Sequence, residues 1–184
     1  HRSMESIYGP MTGQILDKEA FTRILKEAGK IELVVADALK GMFSKSSFAD
    51  DEKFKGKNAI VHRVISGYMR KIIEADMQLA PLKIVALEKK LSYRYAFHND
   101  NDTFYLNMRG TLDRLDELSD GSLRIVDYKT GSPKNMPGEM DDIFIGKNGK
   151  RNDHVMQILL YAMMYKPFAG TKRIIPALYY IRKL

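Results

Sequence analysis

Asp113, Asp127 and Lys129 stand out for their types and their spacing. They flank Ser119-Asp120-Gly121, a cluster of turn formers between two apolar runs, which reads as a hairpin. If Asp120-Gly121 forms a type I turn closed by Gly121 in the left-handed conformation, the loop has three residues and Leu118 pairs with Ser122. Asp113 then falls opposite Asp127 and Lys129 opposite Thr111. All share one face, because opposed residues and residues two apart point the same way. A two-residue loop would slip the pairing by one and put Asp113 on the other face from Asp127. Two facing carboxylates with Cβ atoms about 5 Å apart destabilise each other, and fold stability gives no reason for them. A divalent cation would resolve the conflict. Oxygen ligands of this kind suit Mg²⁺, with Mn²⁺ as a substitute, completed by waters and substrate phosphate oxygens. Lys129 brings an ammonium to the same face, where it can hold a nucleophilic water or a phosphate oxygen. The trio is what metal-assisted phosphodiester cleavage needs. The plainer alternative is a solvated face on which Asp113 pairs with Arg114 and Asp127 with Lys129.

The elements that must position these residues can be read from the apolar periodicity. Residues 58–75 carry Ile60/Val61, Val64/Ile65, Tyr68/Met69 and Ile72/Ile73, a spacing of four that predicts an amphipathic helix with one side in the core. Residues 82–97 and 103–118, rich in Val, Leu, Tyr and Phe, flank His98-Asn99-Asp100-Asn101-Asp102 and predict a long hairpin. Residues 123–128 form the next strand. Residues 131–152 carry Gly, Pro and Asn with no period, and 153–165 resume a helical pattern through Val155, Ile158, Leu159, Ala162 and Met163. With the apolar run 175–181, the order is an α/β domain with a mixed sheet. Residues 18–42 read as a helical appendage, tied by the polar stretch Ser44 to Asp51 to a core over residues 56–181. Both ends look cut, so the expectation is one domain, 1–184, from a longer chain.

Composition sets the outer limits. Lys+Arg number 30 and Asp+Glu 23, a net charge of +7 that fits a polyanionic partner as well as ordinary solubility. With 45% hydrophobic and 29% charged residues, the chain is an ordinary globular one. No run is long and apolar enough for a membrane span and no signal-peptide progression opens the chain, so it reads as soluble, cytoplasmic and without a membrane partner. The absence of Cys removes disulfides, thiolate zinc sites, iron–sulfur clusters and cysteine nucleophiles together.

Three strings carry a resemblance: Gly110-Thr111-Leu112-Asp113-Arg114-Leu115-Asp116, then Ile125-Val126-Asp127-Tyr128-Lys129-Thr130-Gly131, then Gln157-Ile158-Leu159-Leu160-Tyr161. In this order, over residues 56–165, they resemble the PD-(D/E)XK nuclease superfamily, and within it the RecB/AddB-like branch. The resemblance implies a restriction-endonuclease-like core, a mixed central sheet flanked by helices, and metal-dependent hydrolysis of DNA. It further implies an exonuclease of repair or recombination, working with a helicase region in the same parent chain or in a partner subunit. A DNA-binding or scaffolding module that leaves cutting to a partner is the alternative from another class.

Carried over residue by residue, Asp113 and Asp127 become metal ligands, with the backbone oxygen of Tyr128 beside them, and Lys129 becomes the catalytic lysine. Gln157 and Tyr161 complete the catalytic group, and their spacing of four puts both on one helix face. Relatives in this branch carry a metal-binding His on a helix before the first carboxylate, after a Gly such as Gly56. The resemblance therefore implies His62 as a ligand, with a bystander on the helix surface as the alternative. A strand Glu near the site corresponds to Glu88, which could equally pair with Lys89 or Lys90. His98 reads as a hairpin-tip residue and His154 as a helix-start residue. AddB-type domains often hold an iron–sulfur cluster on four cysteines; none is possible here. Lys134, Lys147, Lys150 and Arg151 punctuate the long loop after the second string and are the candidate DNA-backbone contacts, salt-sensitive and blind to sequence.

Overall fold

The computed structural model describes residues 1–43, 56–99, 102–132, 143 and 152–184. Helix α1 (Arg2–Tyr8), a 3-10 turn (Gly9–Met11) and the two-residue strand β1 (Ile15–Leu16) lead into α2 (Lys18–Lys26), α3 (Lys30–Phe43) and α4 (Lys57–Met77). Strands β2 (Leu82–His98), β3 (Thr103–Leu118) and β4 (Leu123–Lys129) follow, then helix α5 (Asp153–Ala169) and strand β5 (Ile174–Tyr180). The sheet order is β1-β2-β3-β4-β5, antiparallel except for the parallel pair β4 and β5. A parallel neighbour needs a crossover, and α5, capped by the Asn152 side chain accepting from Val155 N at 3.3 Å, lies in that connection. This is the mixed, helix-flanked sheet of the restriction-endonuclease-like fold.

The turn at Gly121 fixes the register. Gly121 has φ +79°, Leu118 N donates to Ser122 O at 2.9 Å, and Gly121 N donates to Leu118 O at 2.9 Å. The loop is the three-residue form, and the ladder runs from Glu117↔Leu123 to Arg114↔Val126. Its next step sets Asp113 across from Asp127.

Two apolar cores lie on opposite faces of the sheet. One joins α1 to α4 through Ile7, Tyr8, Phe21, Ile31, Val35 and Ile73, and receives Val126 and Tyr128 from β4. The other packs Ile158 and Met164 of α5 on Leu112, Leu115, Leu123 and Ile125. Residues 18–42 are therefore no appendage, since Phe21, Ile24, Ile31 and Val35 of α2 and α3 share the first core with α1 and α4. The apolar stripe of α4 also needs correction. Met69, Ile72 and Ile73 are buried, but Ile60, Val61 and Val64 are 65%, 42% and 44% exposed.

A closed set of charges is buried between β3, β4, α1 and α4. Arg114 reaches Asp76 (Nη1 to Oδ2, 2.6 Å; Nη2 to Oδ1, 2.7 Å) and Asp116 (Nε to Oδ1, 2.8 Å). Arg124 Nη2 reaches Asp116 Oδ2 at 2.7 Å and Asp76 Oδ1 at 3.1 Å. The hydroxyls of Tyr8 and Tyr179 donate to Asp76 at 2.7 and 2.9 Å, and Arg114 Nη1 donates to the Tyr128 hydroxyl at 2.9 Å. Two guanidinium groups balance two carboxylates, and the set anchors Tyr128, the residue between Asp127 and Lys129, from behind.

Candidate active site

Asp113, Asp127 and Lys129 come together as the register requires. Asp113 Oδ2 accepts from Tyr128 N at 2.8 Å, so the first carboxylate is fixed to the backbone of the strand that carries the second. Lys129 Nζ is in ion-pair contact with Asp127 Oδ2 at 2.8 Å and donates to Gln157 Oε1 at 2.7 Å. Gln157 Nε2 in turn donates to the Tyr161 hydroxyl at 3.0 Å. The lysine is thus oriented by groups from two elements, β4 and α5. Gly110 explains itself here, because a Cβ at that position would meet Tyr161 Cε1 at 2.6 Å.

Glu88 joins this group. The pairs Leu87↔Arg114 and Lys89↔Leu112 put it across from Asp113, and its φ of +45° is a left-handed conformation costly for a residue with a Cβ. The pairing shift between Ile84 and Ala86 lies just before it.

The imidazole at the site belongs to His1, not His62. His1 Nδ1 lies 3.0 Å from Asp113 Oδ1 and 3.5 Å from Glu88 Oε1. His1, Glu88 and Asp113 each offer a ligand atom, and these atoms lie within 4.8 Å of one another. His62 sits on α4 with Nε2 2.8 Å from the carbonyl oxygen of Glu32, so its ring is turned to α3 and is not brought to the carboxylates. The sequence marks the helix face on which His1 lies but not the packing that brings it to the carboxylates. With Met4, Ile7 and Tyr8, the buried residues of α1, His1 continues one stripe at spacings of three and four.

Among the other histidines, His98 Nδ1 lies 3.1 Å from Thr103 Oγ1 at the hairpin end, and His154 Nδ1 lies 3.1 Å from the Tyr180 hydroxyl at the start of α5. Lys134, Lys147, Lys150 and Arg151 lie outside the described residues.

The electrostatics show a cluster short of positive charge. Burial pushes the Asp127 carboxyl above its usual range and the Asp113 charge adds to this, against the pull of Lys129. Glu88 is raised first by burial and then by Asp113. The His1 imidazole is raised by its hydrogen bond to Asp113, against burial, with Asp113, Glu88 and Asp127 all contributing charge. Asp127 Oδ2 is buried with no hydrogen bond reaching it among the described residues, so the lysine contact is an ion pair only. Carboxylate oxygens and one imidazole, in excess of the nearby cations, form a donor set that fits a hard divalent ion.

The fold, the three strings and this geometry belong together. The family model of the PD-(D/E)XK nuclease superfamily matches residues 1–182, and the chain belongs to that superfamily. Its members are generally phosphodiester hydrolases that use divalent metal ions on nucleic acid. No curated protein and no solved structure matches the chain.

Proposed function

We propose that this chain is a Mg²⁺-dependent deoxyribonuclease of the RecB/AddB-like branch, an exonuclease of DNA repair or recombination that works beside a helicase region. The observation that carries the reading is the meeting of His1, Glu88 and Asp113, with Asp113 bonded to the Tyr128 amide beside Asp127 and with a lysine held by Asp127 and Gln157. In this reading Asp113, Asp127, His1 and the Tyr128 carbonyl would hold the ion, with Glu88 beside His1 and Asp113 as a further donor. When bound, the ion polarises the scissile phosphate and stabilises the leaving oxygen. Lys129 positions the attacking water or a phosphate oxygen, and its two bonds keep the ammonium at the reacting group rather than in solvent. Gln157 and Tyr161 orient that lysine and offer polar atoms to the phosphate backbone.

The test is cleavage of linear DNA with and without Mg²⁺. The unmodified chain is expected to cut only with metal. Lys129→Ala is expected to be inactive, and Lys129→Arg nearly so, because a broad planar fork replaces a compact point charge. Metal-dependent cutting that survives both substitutions would remove the catalytic lysine. A chain that binds DNA but never cuts it would return the scaffolding reading.

A further inference from the structure

Strands β2 and β3 are far longer than the sheet they belong to. The ladder of β3 with β4 ends at Arg114, and β1 pairs only with Leu82 and Lys83 of β2. Beyond Glu88 and Asp113 the two strands continue with no further strand beside them among the described residues, from Lys89↔Leu112 to His98↔Thr103, a ribbon about 30 Å long. A two-stranded ribbon is marginal by itself, so its side chains must have a use or a cover.

The two faces of this ribbon differ. One bears Leu91, Tyr93 and Tyr95, and α5 covers its near end. Tyr93 meets Phe168 edge-on at 6.4 Å, and the Tyr95 hydroxyl donates to Met163 O at 2.6 Å. The other face bears Lys90, Ser92, Arg94, Ala96 and His98, paired with Thr111, Arg109, Asn107, Tyr105 and Thr103. All of these except Thr111 are exposed. Lys90, Arg94 and Arg109 put three cations on it, and the strand residues 89–98 and 103–112 contain no Asp or Glu. Asp102, in the turn, is the only described acid between Glu88 and Asp113. The Arg94 guanidinium stacks 3.8 Å from the Tyr105 ring centroid, and that ring is 55% exposed.

We propose that this basic face is a binding track for single-stranded DNA that delivers the strand to the carboxylates. The proposal rests on the nuclease reading of the site. Three exposed cations with no ion-pair partner among the described residues repel one another and are relieved by a polyanion. Lys90 and Thr111 stand two residues beyond Glu88 and Asp113 on the same strands, so the track begins beside the site. An exposed ring distinguishes the occupant. Tyr105, on this face and 55% exposed, offers a stacking surface that an unpaired base can use and a base inside a duplex cannot.

The experiment is fluorescence anisotropy with a labelled oligothymidine of about 20 nucleotides, longer than common single-strand site sizes, and with the same strand annealed to oligoadenosine. EDTA is present throughout, so binding is read without cleavage. Arg94→Gln with Arg109→Gln is expected to weaken single-strand binding about tenfold and to lower the slope of log K against log salt by about 1.4. Tyr105→Ala is expected to weaken single-strand binding about tenfold and duplex binding little. These positions are exposed, and an unchanged melting curve verifies the fold of each variant. Unchanged affinity and slope would overturn the proposal, as would equal loss for duplex and single strand in Tyr105→Ala. The two readings separate cleanly. Ribbon-dependent binding by a chain that cuts nothing keeps the track and removes the nuclease, whereas metal-dependent cutting with binding unaltered in the variants removes the track alone.

Discussion

Strand β3 carries carboxylates on both of its faces, Asp113 on one and Asp116 on the other, and the two groups they join are built by opposite rules. Behind the sheet, Asp76 and Asp116 meet Arg114 and Arg124 with three tyrosine hydroxyls, so charge is balanced and the carboxylates are closed in by donors. In front, Asp113, Asp127 and Glu88 meet one lysine and one histidine, and a buried oxygen of Asp127 is left with an ion pair alone. The rear group is saturated and has nothing to offer a ligand. The front group is unbalanced, and in the proposed reading a divalent ion supplies what it lacks. Burial by itself does not separate the two groups of carboxylates, whereas balance and saturation do.

Breaking the front group should affect chemistry and spare the fold. Asp127→Ala is expected to lower DNA cleavage by about 10⁴-fold, as the loss of several kcal/mol of charge stabilisation requires. Added Mn²⁺ should not rescue it, and its circular dichroism should match the unmodified chain. His1→Ala removes a neutral donor and leaves both aspartates, so higher Mn²⁺ should restore its activity. His62→Ala should keep the unmodified metal dependence, because its ring faces α3.

Breaking the rear group should affect the fold. Asp76→Ala leaves two guanidinium groups buried without a full partner set and is expected to cost about 3–5 kcal/mol in urea unfolding at neutral pH. The same group sets an acid limit. Burial pushes the Asp76 carboxyl up, but the Arg114 guanidinium, its hydrogen bonds and Arg124 outweigh this and hold it below the usual 3.8. A carboxyl depressed in the folded state contributes stability above the unfolded value and loses it as pH falls through the folded one. Unfolding midpoints measured downward from pH 5 should therefore drop in the unmodified chain, and drop less steeply in Asp76→Asn.

The smallest effect sharpens the contrast. Because the folded state raises the Asp127 carboxyl, its ionisation opposes folding at neutral pH when no metal is bound. Asp127→Asn is then expected to stabilise the chain in EDTA by about 0.5–1 kcal/mol, in line with relief of a facing like-charge pair. A destabilised Asp127→Asn would mean that the Lys129 pair outweighs that repulsion.

The front face was legible because its geometry is local. A three-residue turn with Gly121 set the register, and the register set Asp113 and Asp127 together. The spacing of four brought Gln157 and Tyr161 to one helix face, where Gln157 accepts from Lys129 and donates to the Tyr161 hydroxyl. What the sequence hid depends on packing between distant segments. Asp76 reads as a polar position on an amphipathic helix, and only the approach of β3 and β4 supplies its two arginines. His1 lay before the expected core, and the contact between α1 and β2 that brings it to Glu88 spans most of the first 88 residues. Residues 18–42 looked separate because the polar stretch Ser44 to Asp51 follows them, whereas their apolar side chains find partners on both sides of it, in α1 and in α4.

The central claim is that the unbalanced carboxylates hold a divalent ion, and the most direct measurement is anomalous diffraction from crystals soaked in Mn²⁺. The account predicts a peak in contact with the Asp113 and Asp127 carboxylates and the His1 imidazole, lost in Asp127→Ala crystals. A map with no peak there, or with manganese bound only elsewhere on the surface, would contradict it.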